Sequence, residues 1–119
     1  TVNPNTGRDY VSEFTGHITS RTQSPNITVR IRFIPDRLIL EPESLNLYLS
    51  EMSAQLWPSL EQLANTLLSD IQNEGVPRWV QVHAIIEWPD APHVSHQSAW
   101  VEDQQPGWSN PSLFQLQVD

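Results

Sequence analysis

The sequence predicts an α+β domain, an antiparallel sheet with two helices on one face in the order ββααββ, and three observations carry that expectation. Ile27, Val29, Ile31 and Phe33 alternate with Thr28, Arg30 and Arg32, the period of a strand with one face buried. Leu60, Leu63, Leu67, Leu68 and Ile71 form one apolar stripe at helical spacing. Residues 78–88 alternate again, with Val80, Val82, Ala84, Ile86 and Trp88 on one side and Trp79, Gln81, His83, Ile85 and Glu87 on the other. Strands placed before and after a helical pair favour a layered sheet with both helices on the same side.

In chain order, residues 8–18 are β-tending but irregular, and the polar, Pro-containing residues 21–26 read as the turn of a hairpin. Leu45, Tyr48, Leu49 and Met52 fall at i, i+3, i+4 and i+7, so residues 43–54 read as a short amphipathic helix with acids favourably placed at its start. Pro58 suits the first turn of the second helix, and Gly75 followed by Pro77 supplies its stop. Beyond Trp88 the composition turns to Pro, Ser, His, Gln and Trp, so residues 89–112 read as loop. Phe114, Leu116 and Val118 alternate and suggest a last strand. Residues 1–92 are taken as the domain proper, and residues 93–119 as a polar C-terminal segment that adds a strand.

At 119 residues and 13.6 kDa the chain makes one domain, small enough that self-association would help to bury apolar surface. Fourteen acidic residues against six basic ones, all Arg, give a net charge of −8, which argues against nucleic-acid or anionic-membrane partners. Without cysteine there is no disulfide, thiolate metal site or thiol catalysis. Without lysine there is no Schiff base. No apolar run approaches the roughly 20 residues of a membrane span, and the N-terminus lacks a signal-peptide core, so a cytoplasmic location is expected. Asn26-Ile27-Thr28 fits a glycosylation sequon, a triplet common by chance.

The segment from Ile34-Pro35-Asp36 through Glu41-Pro42-Glu43-Ser44-Leu45-Asn46-Leu47-Tyr48-Leu49 resembles the QueF family, whose pattern is Ile-Pro-Asp, a short gap, then Glu-Ser-Lys-Ser-Leu-Lys-Leu-Tyr-Leu. Glu13-Phe14-Thr15 is similar to the family's Glu-Phe-Thr, and Pro77-Arg78-Trp79-Val80-Gln81-Val82 to its Pro-Arg-Tyr-Ile-Glu-Val. The resemblance implies a tunnelling fold (T-fold) in which units join side by side into an oligomeric barrel, with ligand sites between subunits. It also implies NADPH-dependent reduction of the nitrile 7-cyano-7-deazaguanine in queuosine biosynthesis. Ring closure has an independent motive, because a solitary sheet exposes two edge strands.

In the register of that resemblance the family's nucleophilic cysteine falls on Ile18 and its proton-donating Asp on Pro25. An aliphatic side chain cannot form the covalent thioimide, so no catalytic residue is assigned. Two family lysines become Glu43 and Asn46, leaving Glu41 and Ser44 as remnants of the cofactor motif. No cofactor is expected, with NADPH the cofactor should the family activity survive. The carboxylate that grips the purine-like ring falls on Glu61, although the position is explained more simply as an ordinary acid in a helix's first turn. Asn3-Pro4-Asn5-Thr6-Gly7-Arg8-Asp9 echoes the family's nucleophile motif out of register and is set aside as coincidence.

His93 and His96, near His17, His83 or Asp90, do not make the four convergent ligands of a structural metal site, and no metal is expected. No Gly-x-Ser-x-Gly elbow presents a serine nucleophile. Trp100 and Trp108 are either anchors for a protein partner or rings that fold back on their own sheet. The sequence thus points to a non-catalytic QueF-like subunit that binds a ligand, a purine-like base around Glu61, or drives assembly. The alternatives are one half of a heteromeric 7-cyano-7-deazaguanine reductase and a purely structural ring module.

Overall fold

The computed structural model describes residues 1–19, 26–88, 90 and 92–115. Four strands, β1 (Ser12–Ile18), β2 (Ile27–Ile34), β3 (Trp79–Glu87) and β4 (His96–Gln104), form one sheet in the order β1-β2-β3-β4, every neighbouring pair antiparallel. Two helices, α1 (Pro42–Ser53) and α2 (Leu60–Gly75), lie between β2 and β3 in sequence, and a short α3 (Pro111–Gln115) follows β4. The ββααββ order and the antiparallel sheet expected from the sequence are thus present. The expected turn at residues 21–26 falls almost wholly outside the described residues, as do Leu116 and Val118.

The register explains the core. Phe14, Ile31, Val82 and Val101 share one row, and Gly16, Val29, Ala84 and Ala99 the next. Together with Ile18, Phe33 and Val80 these rows meet Leu49 and Met52 of α1 and Leu60, Leu63, Leu67, Leu68 and Ile71 of α2 in a single apolar cluster. Both helices therefore cover the same face. The alternate residues, among them Thr15, Arg30, His83 and Trp100, form one row on the other face.

Local chemistry sets the helix ends. The Ser59 side chain accepts a hydrogen bond from the Gln62 N–H at 3.1 Å, so α2 starts at Leu60 and Pro58 precedes the cap instead of occupying the first turn. Pro42 opens α1, where its missing N–H costs nothing. Gly75 is the last residue of α2, and the left-handed cap falls one position later on Val76, with φ 42°. A β-branched residue is strained there.

Two further expectations are corrected. Residues 96–104 are not loop but β4, whose register carries only Ala99 and Val101 as apolar residues on the helix-covered face, flanked by Gln97 and Asp103. An edge strand can afford that polarity because it is half solvated. Phe114 lies in α3 and not in a strand.

Val76→Gly is expected to raise stability by about 1 kcal/mol in urea denaturation, since it relieves the backbone and Val76 is largely exposed. Gly16→Val is expected to lower it by about 1–3 kcal/mol, because a Cβ at Gly16 would come within 2.5 Å of the buried Leu49 side chain.

Candidate functional site

Ile18 closes β1 on the helix-covered face and is 2% exposed, packed into the core. Beside it, between β1 and α1, lies a groove of about 510 Å³ lined by Thr15, His17, Thr19, Asn46, Ser50 and Ser53 among others. Its polar atoms are engaged locally. The Ser53 hydroxyl donates to the Leu49 carbonyl at 2.9 Å and accepts from the Thr19 N–H at 3.1 Å, while His17 Nδ1 lies 3.4 Å from Thr28 Oγ1. The Thr28 hydroxyl is the one of these that meets a base, and its 3.4 Å separation from His17 is longer than the roughly 2.6–3.2 Å of an activated nucleophile. Pro25 falls outside the described residues.

A second groove, about 490 Å³, runs between α1 and α2 over an apolar floor of Leu40, Leu45 and Ile71. Glu41 and Ser44 both line it, so the structure brings together these two remnants of the cofactor motif. The remaining polar lining includes Asp70, Asn73 and Glu74, and Tyr48 donates to Asp70 Oδ2 at 2.5 Å. Burial and the Asp70 carboxylate push the Tyr48 phenol far above its ordinary range, so it stays protonated. Glu43 is exposed, and Asn46 belongs to the first groove. For NADPH this is a poor fit. Three carboxylates and no arginine or histidine line the groove, and like charges about 4 Å apart cost on the order of 1–4 kcal/mol between water and a protein surface.

Glu61 sits exposed in the first turn of α2, outside both grooves, with Gln97 Nε2 of β4 3.4 Å from its Oε1. Among the described residues no group of three or more His, Asp and Glu could hold a metal ion, and His93 and His96 are exposed.

The most connected polar cluster was not read from the sequence. Arg78, just before β3, donates to Asp9 Oδ1 at 2.9 Å, Asp36 Oδ1 at 3.2 Å, the Arg8 carbonyl at 3.1 Å and the Thr6 carbonyl. Gln105 donates to Asp36 Oδ2 at 3.0 Å, and Trp108 Nε1 and Asn110 Nδ2 to Asp9 Oδ2 at 3.1 and 3.0 Å. Asn3, 2% exposed, donates to the Asp36 carbonyl and accepts from Tyr10. The stretch set aside as coincidence, 3–9, is therefore a structural strap. Its only sequence signal was the match of Pro77-Arg78 and Ile34-Pro35-Asp36 to one family. Trp108 thus has an inward-facing Nε1 that fixes the C-terminal segment to the N-terminal one.

On the open sheet face, His83 stacks on Trp100 with ring centroids 3.5 Å apart and planes 13° from parallel. Both His83 ring nitrogens are shut away without a hydrogen-bond partner. Burial, then the neighbouring Arg30, His96 and Arg32, hold its imidazole below the ordinary value and neutral. Trp100 remains 56% exposed.

Among solved structures, the apo crystal structure of the archaeosine synthase QueF-Like matches with a TM-score of 0.57 at 15% identity, over 85% of this chain and 96% of that one. That likeness shows the fold: the four-stranded antiparallel sheet and its helices are built as in that QueF-like protein. No family model matches the sequence. Among curated proteins, the NADPH-dependent 7-cyano-7-deazaguanine reductase of Thermomicrobium roseum is 36% identical, covering 69% of this chain and 67% of the relative. The reductase of the same description from Syntrophus aciditrophicus is 32% identical, covering 87% and 75%. The chain belongs to the family of NADPH-dependent 7-cyano-7-deazaguanine reductases, the QueF family. No helix among the described residues is long and apolar enough to cross a membrane.

Asp36 is held below its ordinary 3.8 by the Gln105 amide and Arg78; burial raises Asp9, but bonds from Asn110, Arg78 and Trp108 outweigh it. Depressed carboxylates stabilise fully above the unfolded pKa and lose that contribution as pH falls through the folded one. The urea midpoint should therefore drop on acidification below about pH 4. Arg78→Ala should cost about 2–3 kcal/mol at pH 7 and flatten that acid limb.

Proposed function

We propose that this chain is a QueF-like ring subunit that does not reduce a nitrile by itself and serves in ligand binding or assembly. The observation that carries this is Ile18: the position that the motif resemblance gives to the family's nucleophile holds an alkyl group buried in the core. The acidic groove between α1 and α2 supports the same conclusion from the cofactor side. Assembly is supported by β1 and β4, which have no further strand beside them among the described residues and whose edges a neighbouring copy would cover. Glu61, exposed at the start of α2 with Gln97 beside it, would anchor the N–H groups of a purine-like base once a neighbour completes the site. A cytoplasmic setting accords with this role.

The reductase relatives favour a second reading, in which this chain is half of a heteromeric enzyme in queuosine biosynthesis and a partner subunit contributes the thiol. Incubation of the isolated chain with 7-cyano-7-deazaguanine and NADPH is expected to leave the 340 nm absorbance of NADPH unchanged, and turnover would overturn the proposal. Native mass spectrometry should show a closed oligomer; a monomer removes the ring. The same base should raise the melting temperature of the wild type and not of Glu61→Ala, since a ligand at 100 times its Kd adds about 2.7 kcal/mol.

A further inference from the structure

We infer that the open face of the sheet binds a planar aromatic anion, its ring stacked on Trp100 and its negative group held by Arg30. Cross-strand pairing sets Arg30 of β2, His83 of β3 and Trp100 of β4 side by side in one row. Two strand spacings, about 10 Å, separate the outer pair at the backbone, a span that an arginine side chain and a mononucleotide-sized ligand can bridge together. His83 already occupies one face of the indole, and the exposure of Trp100 leaves a flat aromatic shelf toward solvent.

The charges on this face single out Arg30. Arg32 is paired with Glu13 at 3.6 Å, and Glu102 accepts from Trp79 Nε1 at 2.7 Å. Arg30 is exposed and has no ion pair or hydrogen bond among the described residues, in a chain with more than twice as many acids as bases. An uncompensated guanidinium next to an aromatic shelf is complementary to a ring that carries a carboxylate or phosphate. The neutral His83 of the same row adds no competing charge and holds the indole by stacking on it. Neither the loss of nitrile chemistry nor the Glu61 site is needed for this inference.

Titration of the intact protein with AMP, adenosine and inorganic phosphate tests it, followed by indole fluorescence and by the NMR resonances of the His83 ring. AMP is expected to quench Trp100 saturably and to bind at least tenfold more tightly than either adenosine or phosphate. Arg30→Gln should weaken AMP at least tenfold and leave adenosine unchanged, whereas Trp100→Ala, read by NMR, should weaken both. A bound anion shields His83 from Arg30, so AMP should raise the pH at which the His83 ring titrates, and adenosine should not. Thermal unfolding of each variant confirms that it is folded, and Arg30→Lys, which keeps the charge, should retain most of the AMP affinity. Absence of saturable AMP binding, equal affinity for AMP and phosphate, or AMP binding unchanged in Arg30→Gln overturns the inference.

Discussion

Side chains on a strand alternate between two faces, and in this sheet α1 and α2 cover only one of them. That parity decides what each position can do. Residues in phase with Val29 and Val82 are committed to the core; of those in phase with Arg30 and His83, Ile34 and Trp79 at one end of the sheet are buried too, whereas Arg30 and, in the same row of β4, Trp100 meet solvent. Ile18 is in the buried phase, paired with Ile27, so its alkyl group is suited to its surroundings in a way that a reactive polar group would not be.

The elements that could be read from the sequence are those whose burial is strong enough to enforce a period. β2, β3 and α2 each place four or more apolar residues in phase, and all three lie within a residue or two of their expected bounds. β4 escaped because its inward residues include Gln97 and Asp103, and its most conspicuous apolar residue, Trp100, points away from the core. The αL cap at Val76 escaped for a different reason: Gly75 was available one position earlier, and only the observed backbone distinguishes the two.

Candidate site residues fared according to how local their signal was. Glu41 and Ser44 share a groove because one is the N-cap residue of α1 and the other lies in its first turn, a closeness that sequence alone establishes. The Arg78 cluster joins positions 9, 36, 78, 105, 108 and 110, and no periodicity connects residues so far apart. The His83 and Trp100 stack likewise depends on a strand pairing that required β4 to be known.

The bonds to Asp9 have a topological consequence. One carboxylate receives donors from Arg78, Trp108 and Asn110, so stretches nearly a hundred residues apart in sequence are neighbours in space. The backbone is in effect a closed circuit fastened at one point. A circularly permuted version, joined near positions 9 and 110 by a short connector and opened in the exposed α1–α2 loop around Leu56, would preserve the four-strand pairing but lose the Asn3 and Thr6 contacts of the strap.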